Sequence, residues 1–213
     1  MVAENDRRRK IRRHSSRSGG IVEGSPFDFV SMALKATIYK TTLNVSDLDR
    51  HYYAEHGLTV ARHPSETEQR MMVRILAFAL HADERLEFGR DLSSEDNEPP
   101  LWRKDYSGLI EQWIEVGLPD EKLLRRASSR AAEVIVIAYG QHQAGIWWSK
   151  EGNDIRRLHN VRVWLLPDDQ AQALTDMCGR GMQLQCTLED GEAWFSNGEQ
   201  SAQIRLELLT DHP

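Results

Sequence analysis

The residues with the plainest chemical potential lie between positions 105 and 130. On a strand, alternate side chains share a face. In residues 109–116 (LIEQWIEV), Glu111, Trp113 and Glu115 therefore stand together, opposite Ile110, Gln112, Ile114 and Val116. The Ile/Val face suits a core, while the other sets two carboxylates beside an indole. A carboxylate is costly to bury unless it is paired or holds a cation. Asp105 lies just upstream, and a hairpin through residues 106–108 would carry it toward Glu115. Carboxylates converging in this way make a hard-oxygen site suited to Mg2+ or Mn2+. The segment that follows places Lys122, Arg126 and Arg130 at i, i+4 spacing along one helical row, able to touch a phosphate or orient an attacking water. The same residue types also serve plain structure. Glu121 and Glu133 can neutralise the basic row, and Arg70, Arg74 and Arg103 can take up carboxylates in buried pairs.

Positioning these groups requires regular elements on either side. Residues 33–45 (ALKATIYKTTLNV) alternate and are rich in Thr, Ile, Tyr and Val, which predicts a strand. Residues 52–61 predict a second, joined to the first as a hairpin. The period then changes to 3.6. Ser65 and Glu68 form an S-x-x-E capping box, and Met71, Met72, Ile75, Leu76, Ala79 and Leu80 form the apolar stripe of a helix reaching about Asp83. A short strand over 86–90 and a polar loop over 91–100 precede the acidic strand at 109–116. Asp120 caps a helix to about Ala131, and 134–139 (VIVIAY) reads as a strand covered on both faces. A helix over 141–158, a strand over 161–166 and a helix over 168–178, capped by Asp168 or Asp169, follow. Residues 182–188, 192–196 and 203–208 complete an antiparallel meander, turned at Asp190–Gly191 and Asn197–Gly198. Without repeats or a second linker, the chain reads as one mixed α/β (α+β) domain.

Composition narrows the function classes. Of 213 residues, 40% are hydrophobic and 28% charged, as in a globular protein. Residues 1–18 carry seven basic groups against Glu4 and Asp6, whereas the remainder carries 20 basic and 31 acidic groups, a net −11. Residues 1–31 are thus expected to be a disordered basic extension, and 32–213 the folded domain. An acidic body confines any DNA or RNA contact to a local basic patch. Cys178 and Cys186 are too few for a zinc cluster or a disulfide scaffold. No apolar run reaches the ~18 residues of a membrane span, and no apolar segment follows the basic start. A cytoplasmic monomer is expected. The chain lacks G-x-x-x-x-G-K-[ST], G-x-G-x-x-G, G-x-S-x-G and H-E-x-x-H, which disfavours the commonest nucleotide-binding, hydrolase and zinc-protease sites.

Several stretches resemble the bacterial YaeQ family: MALKATIYK (32–40), ARHPSETEQRMMVRILAF (61–78), ADERLEF (82–88), WIEVGLPDE (113–121), AAEV (131–134) and IWW (146–148). The resemblance spans roughly residues 32–210. It implies a PD-(D/E)XK nuclease-like core, a mixed central sheet flanked by helices, with additional antiparallel strands. It also implies an acidic metal site for Mg2+ or Mn2+ built from Glu66 on the first core helix, Asp105 and Glu115. Lys104 stands where the motif has Pro and Gly117 where it has Lys, so Arg126 or Lys122 would supply the missing basic group. The function implied is a metal-dependent phosphodiesterase acting on DNA or RNA. The other reading is a non-catalytic nucleic-acid-binding or transcription-related regulatory protein on the same frame.

Overall fold

Alternation builds the first elements. The computed structural model describes residues 36–89 and 98–210. The 1–31 extension, the first residues of the 33–45 strand and most of the 91–100 loop lie outside the described residues. In β1 (Thr37–Asp47), Tyr39, Thr41, Leu43 and Val45 are buried while Ile38, Lys40 and Asn44 face solvent. The two-residue period of the pleat thus gives one wet face. β2 (Tyr52–Arg62) returns antiparallel beside it, as the hairpin expectation requires.

α1 (Glu68–Leu80) is capped by Thr67, whose hydroxyl accepts the Arg70 N–H at 3.1 Å. The Ser65–Glu68 box does not form, because Ser65 Oγ is engaged with His63 Nδ1 at 2.6 Å. β3 (Leu86–Phe88), β4 (Leu101–Lys104) and β5 (Ile110–Val116) make an antiparallel meander. α2 (Glu121–Ser128) is capped by Asp120, which accepts the Leu123 N–H at 2.7 Å. It stops short of Ala131 because that residue already opens β6 (Ala131–Ala138). α3 (Gln141–Ile155), β7 (Val161–Leu165) and α4 (Asp168–Asp176) follow. The expected Asp168 cap of α4 is instead spent on α3, since its carboxylate accepts the Gln141 N–H at 2.7 Å. β8 (Gly181–Glu189), β9 (Glu192–Ser196), β10 (Ser201–Ile204) and β11 (Glu207–Leu208) end the chain.

These strands form two mixed sheets, ordered β10-β9-β8-β1-β2 and β11-β7-β6-β5-β4-β3. The expected mixed α+β single domain is present, its strands divided between these two sheets. The first sheet closes by a parallel pairing of β1 with β8, Lys40 opposite Gly181 and Asp47 opposite Leu188. The segment expected as the last meander strand divides: β10 stays with β9, while β11 crosses to pair with β7.

Both faces of the second sheet are covered, as the VIVIAY run requires. Ile114, Val116, Ile135 and Ile137 enter a core shared with α1, α4 and the first sheet. Trp113, Val134, Val136 and Ala138 enter a second core with α2 and α3. α1 packs between the sheets, so its residues from Met71 to Ala79 are all buried rather than one stripe of them.

Candidate functional site

Polar groups gather where the parallel strands β5 and β6 end, beside the start of α1 and the loops entering α2 and α3. Glu66 precedes α1 and is buried, 5% exposed. Its carboxylate accepts Arg70 Nη1 at 3.1 Å and Arg74 Nη2 at 2.9 Å. Arg74 is itself buried and also donates to the Ala61 carbonyl at 2.9 Å. Burial pushes its guanidinium below the ordinary value, and Glu66 opposes that push. Arg70 reaches further, donating from Nη2 to the Val116 carbonyl at 3.3 Å, and so straps the helix to the end of β5.

Glu115 occupies the other face of the sheet at the same edge. Its Oε1 accepts the Trp113 indole N–H at 2.7 Å, within a residue only 7% exposed. Burial pushes its carboxyl up to about 7, against the lowering influence of the Trp113 hydrogen bond and the Arg70 charge. Tyr139, just beyond β6, is hydrogen-bonded to the Thr67 side chain, and burial raises its phenol. This residue escaped the sequence analysis. Its one signal was its place as the polar-tipped end of an apolar strand.

Asp105 does not join this group. The β4–β5 register sets Leu101 opposite Ile114 and Lys104 opposite Ile110, so Asp105 lies at the far end of β5 from Glu115. At the strand rise of ~3.3 Å per residue, the six residues from Leu109, opposite Asp105, to Glu115 span roughly 20 Å. Its Oδ1 accepts the N–H groups of Ser107 and Leu109 and the Ser107 hydroxyl, at 2.7–2.9 Å. These bonds hold its carboxyl below the ordinary value, and the Ser107 contact contributes most. The residue next in register with Glu115 is Pro100. Among the described residues, no three His, Cys, Asp or Glu side chains are grouped so as to hold a metal ion.

Lys122 and Arg126 are exposed on α2, one turn apart, with no ion pair among the described residues. The expected partners go elsewhere: Glu121 pairs with Arg125, and Glu133 with Arg162. Arg130 lies over the Trp113 ring at 5.6 Å. Gly117, expected at the position of the motif lysine, has φ +110°, a left-handed backbone that a lysine there would strain.

Open sheets with parallel strands bind ligands outside the carboxyl ends of those strands. Fold and polar edge together define a two-sheet α+β protein whose polar groups gather at the carboxyl ends of two parallel strands. The YaeQ protein family matches residues 32–206, and the chain belongs to that family. It is 47% identical to the YaeQ protein of Salmonella typhi over 176 residues, which is 82% of this chain and 96% of that one. It is 46% identical to the Escherichia coli K12 protein, with the same coverage. The crystal structure of YaeQ from Xanthomonas axonopodis pv. citri superposes with a TM-score of 0.78 at 45% identity, covering 83% of this chain and 99% of that one. The YaeQ structure from Pseudomonas syringae gives 0.77 at 37% identity, covering 83% and 97%.

Proposed function

We propose that this chain binds nucleic acid at the edge where β5 and β6 end, without cleaving it, on a PD-(D/E)XK nuclease-like frame. The element order supports the frame. A helix (α1), an antiparallel three-stranded meander (β3–β5), a crossover helix (α2) and a strand parallel to β5 (β6) form the succession such a core requires.

The non-hydrolytic reading rests on one observation, the separate engagement of the three candidate carboxylates. Metal-assisted phosphodiester hydrolysis needs carboxylates free to hold the cation. Glu66 is neutralised by two arginines, Asp105 spends its Oδ1 on its own turn, and Glu115 is bonded to the Trp113 indole with no cationic partner at hydrogen-bond distance. The positive φ of Gly117 disfavours a water-orienting lysine at that position. Lys122 and Arg126, exposed on α2, supply phosphate contacts in an otherwise acidic body.

A Mg2+- or Mn2+-dependent phosphodiesterase is the second reading, and Glu115 favours it. A bound cation would favour the ionised form of this buried carboxyl, which otherwise titrates near 7. Its acidic partner would come from the end of β4 that faces Glu115, where Glu98 precedes Pro99 and Pro100, and not from Asp105.

The deciding experiment combines Mn2+ calorimetry with DNA and RNA binding and cleavage assays. The proteins compared are the wild type, Glu115→Gln and a Lys122→Glu/Arg126→Glu double variant. The expected outcome is retained binding, weakened roughly tenfold or more by the double variant, with no cleavage in Mg2+ or Mn2+. Cleavage that disappears in Glu115→Gln together with Mn2+ binding would establish the phosphodiesterase instead. Failure to bind either nucleic acid would remove both readings.

A further inference from the structure

At the opposite end of β6, a cavity of about 230 Å³ opens between the two sheets. That is room for roughly eight water molecules at ~30 Å³ each, the size of a one- or two-ring molecule. Its walls are mostly apolar, with Leu80 from the end of α1, Ile135 and Trp164 from the second sheet, Ile204 from the end of β10 and Leu206 from the link to β11. Gly191 stands at its rim, where the Asp49 carboxylate accepts its N–H at 3.3 Å and ties the β8–β9 turn to the β1–β2 turn.

Three polar side chains break this lining: His81, Glu133 and Arg162. Arg162 Nη1 donates to Glu133 Oε1 at 2.8 Å, so the one anion and the one cation cancel. Glu133 Oε2 accepts Gln112 Nε2 at 2.9 Å from the neighbouring strand. That bond fixes the amide orientation and leaves Gln112 Oε1 buried without a hydrogen-bond partner. An unpaired buried acceptor is expensive and asks for a donor. His81 makes no side-chain hydrogen bond among the described residues. Burial pushes its imidazole down to about 4, against Glu133 and with the Arg50 and Arg103 charges, so it is neutral at ordinary pH.

A mostly apolar cleft with a few convergent polar groups is the usual form of a small-molecule site. The polar groups here set its chemistry: an acceptor at Glu133, a donor at Arg162, an uncharged imidazole, and an indole wall at Trp164. We infer that this cavity binds an uncharged planar heterocycle whose ring carries adjacent hydrogen-bond donor and acceptor atoms, as in a nucleobase. The site is separate from the β5–β6 edge and does not depend on the reading proposed for it.

The test is an NMR titration of the full chain with adenine, hypoxanthine and cytosine, each alone, beside indole and benzoate. The resonances followed are the Trp164 indole N–H and the His81 ring. Two filled variants, Ile135→Phe and Ile204→Phe, approach the cavity from opposite sheets, so the loss of one to misfolding leaves the other. The expected result is saturable shifts with at least one nucleobase, abolished in the filled variant. Indole and benzoate should bind roughly tenfold or more weakly, because indole offers no acceptor to the Arg162 donor and benzoate adds a charge. Equal binding of indole would overturn the hydrogen-bond recognition. Binding that survives both fillings, or none by any nucleobase, would overturn the site.

Discussion

Ionising Glu115 works against the folded state. Its carboxyl stands at about 7 in the fold, against an ordinary 4.5, so the fold prefers the protonated form. That stability is fully present below about pH 4.5 and is lost as pH rises through about 7. A shift of this size is worth roughly 2–4 kcal/mol. Glu115→Gln keeps an acceptor for the Trp113 indole and cannot ionise. It should therefore exceed the wild type in urea-unfolding stability by about that amount at pH 8, and match it closely at about pH 4. Equal curves at both pH values would mean that Arg70 holds Glu115 ionised. The sequence did put Glu115 and Trp113 on one face, because strand alternation is a local rule. It could not bring Asp105 in or keep it out. That depended on a hairpin register with an irregularity between Arg103 and Lys104, and on an aspartate that spends its oxygens on its own turn. The arginine pairs of Glu66 were open as a possibility in the residue types, and only the buried geometry of Arg74 selects them.

Elements followed from periodicity almost throughout, since each period reports which face is dry. Their ends did not, because a cap is decided by which of several neighbouring hydroxyls or carboxylates is not already engaged. Ser65 is held by His63, which leaves Thr67 to cap α1 and to meet Tyr139. Thr67→Ala should thus cost about 1–2 kcal/mol and Ser65→Ala only a few tenths, as measured by chemical denaturation. The reverse order would restore the S-x-x-E box. Asp168 makes the same point across a longer distance, because a residue 27 positions away caps α3 and no local pattern announces it.

At the scale of the whole molecule, α1 couples the two sheets. It contributes to the same core as Leu43 of the first sheet and Ile114 of the second. Leu43→Ala, at a fully buried position, should cost roughly 2–5 kcal/mol. Circular dichroism and tryptophan fluorescence should still lose their signals together. Two separated transitions would show that the sheets unfold independently. The partition of strands between the sheets was not legible in advance, because the pairing of β1 with β8 joins residues about 140 positions apart. That pairing also has a consequence for biosynthesis. The β1–β2 hairpin leaves the ribosome well before its parallel partner exists. At ~5–20 residues per second, one side of β1 waits on the order of ten seconds for β8. A nascent chain halted before residue 181 therefore carries an eleven-residue strand with an open edge, a ready template for pairing with its neighbours on the same message.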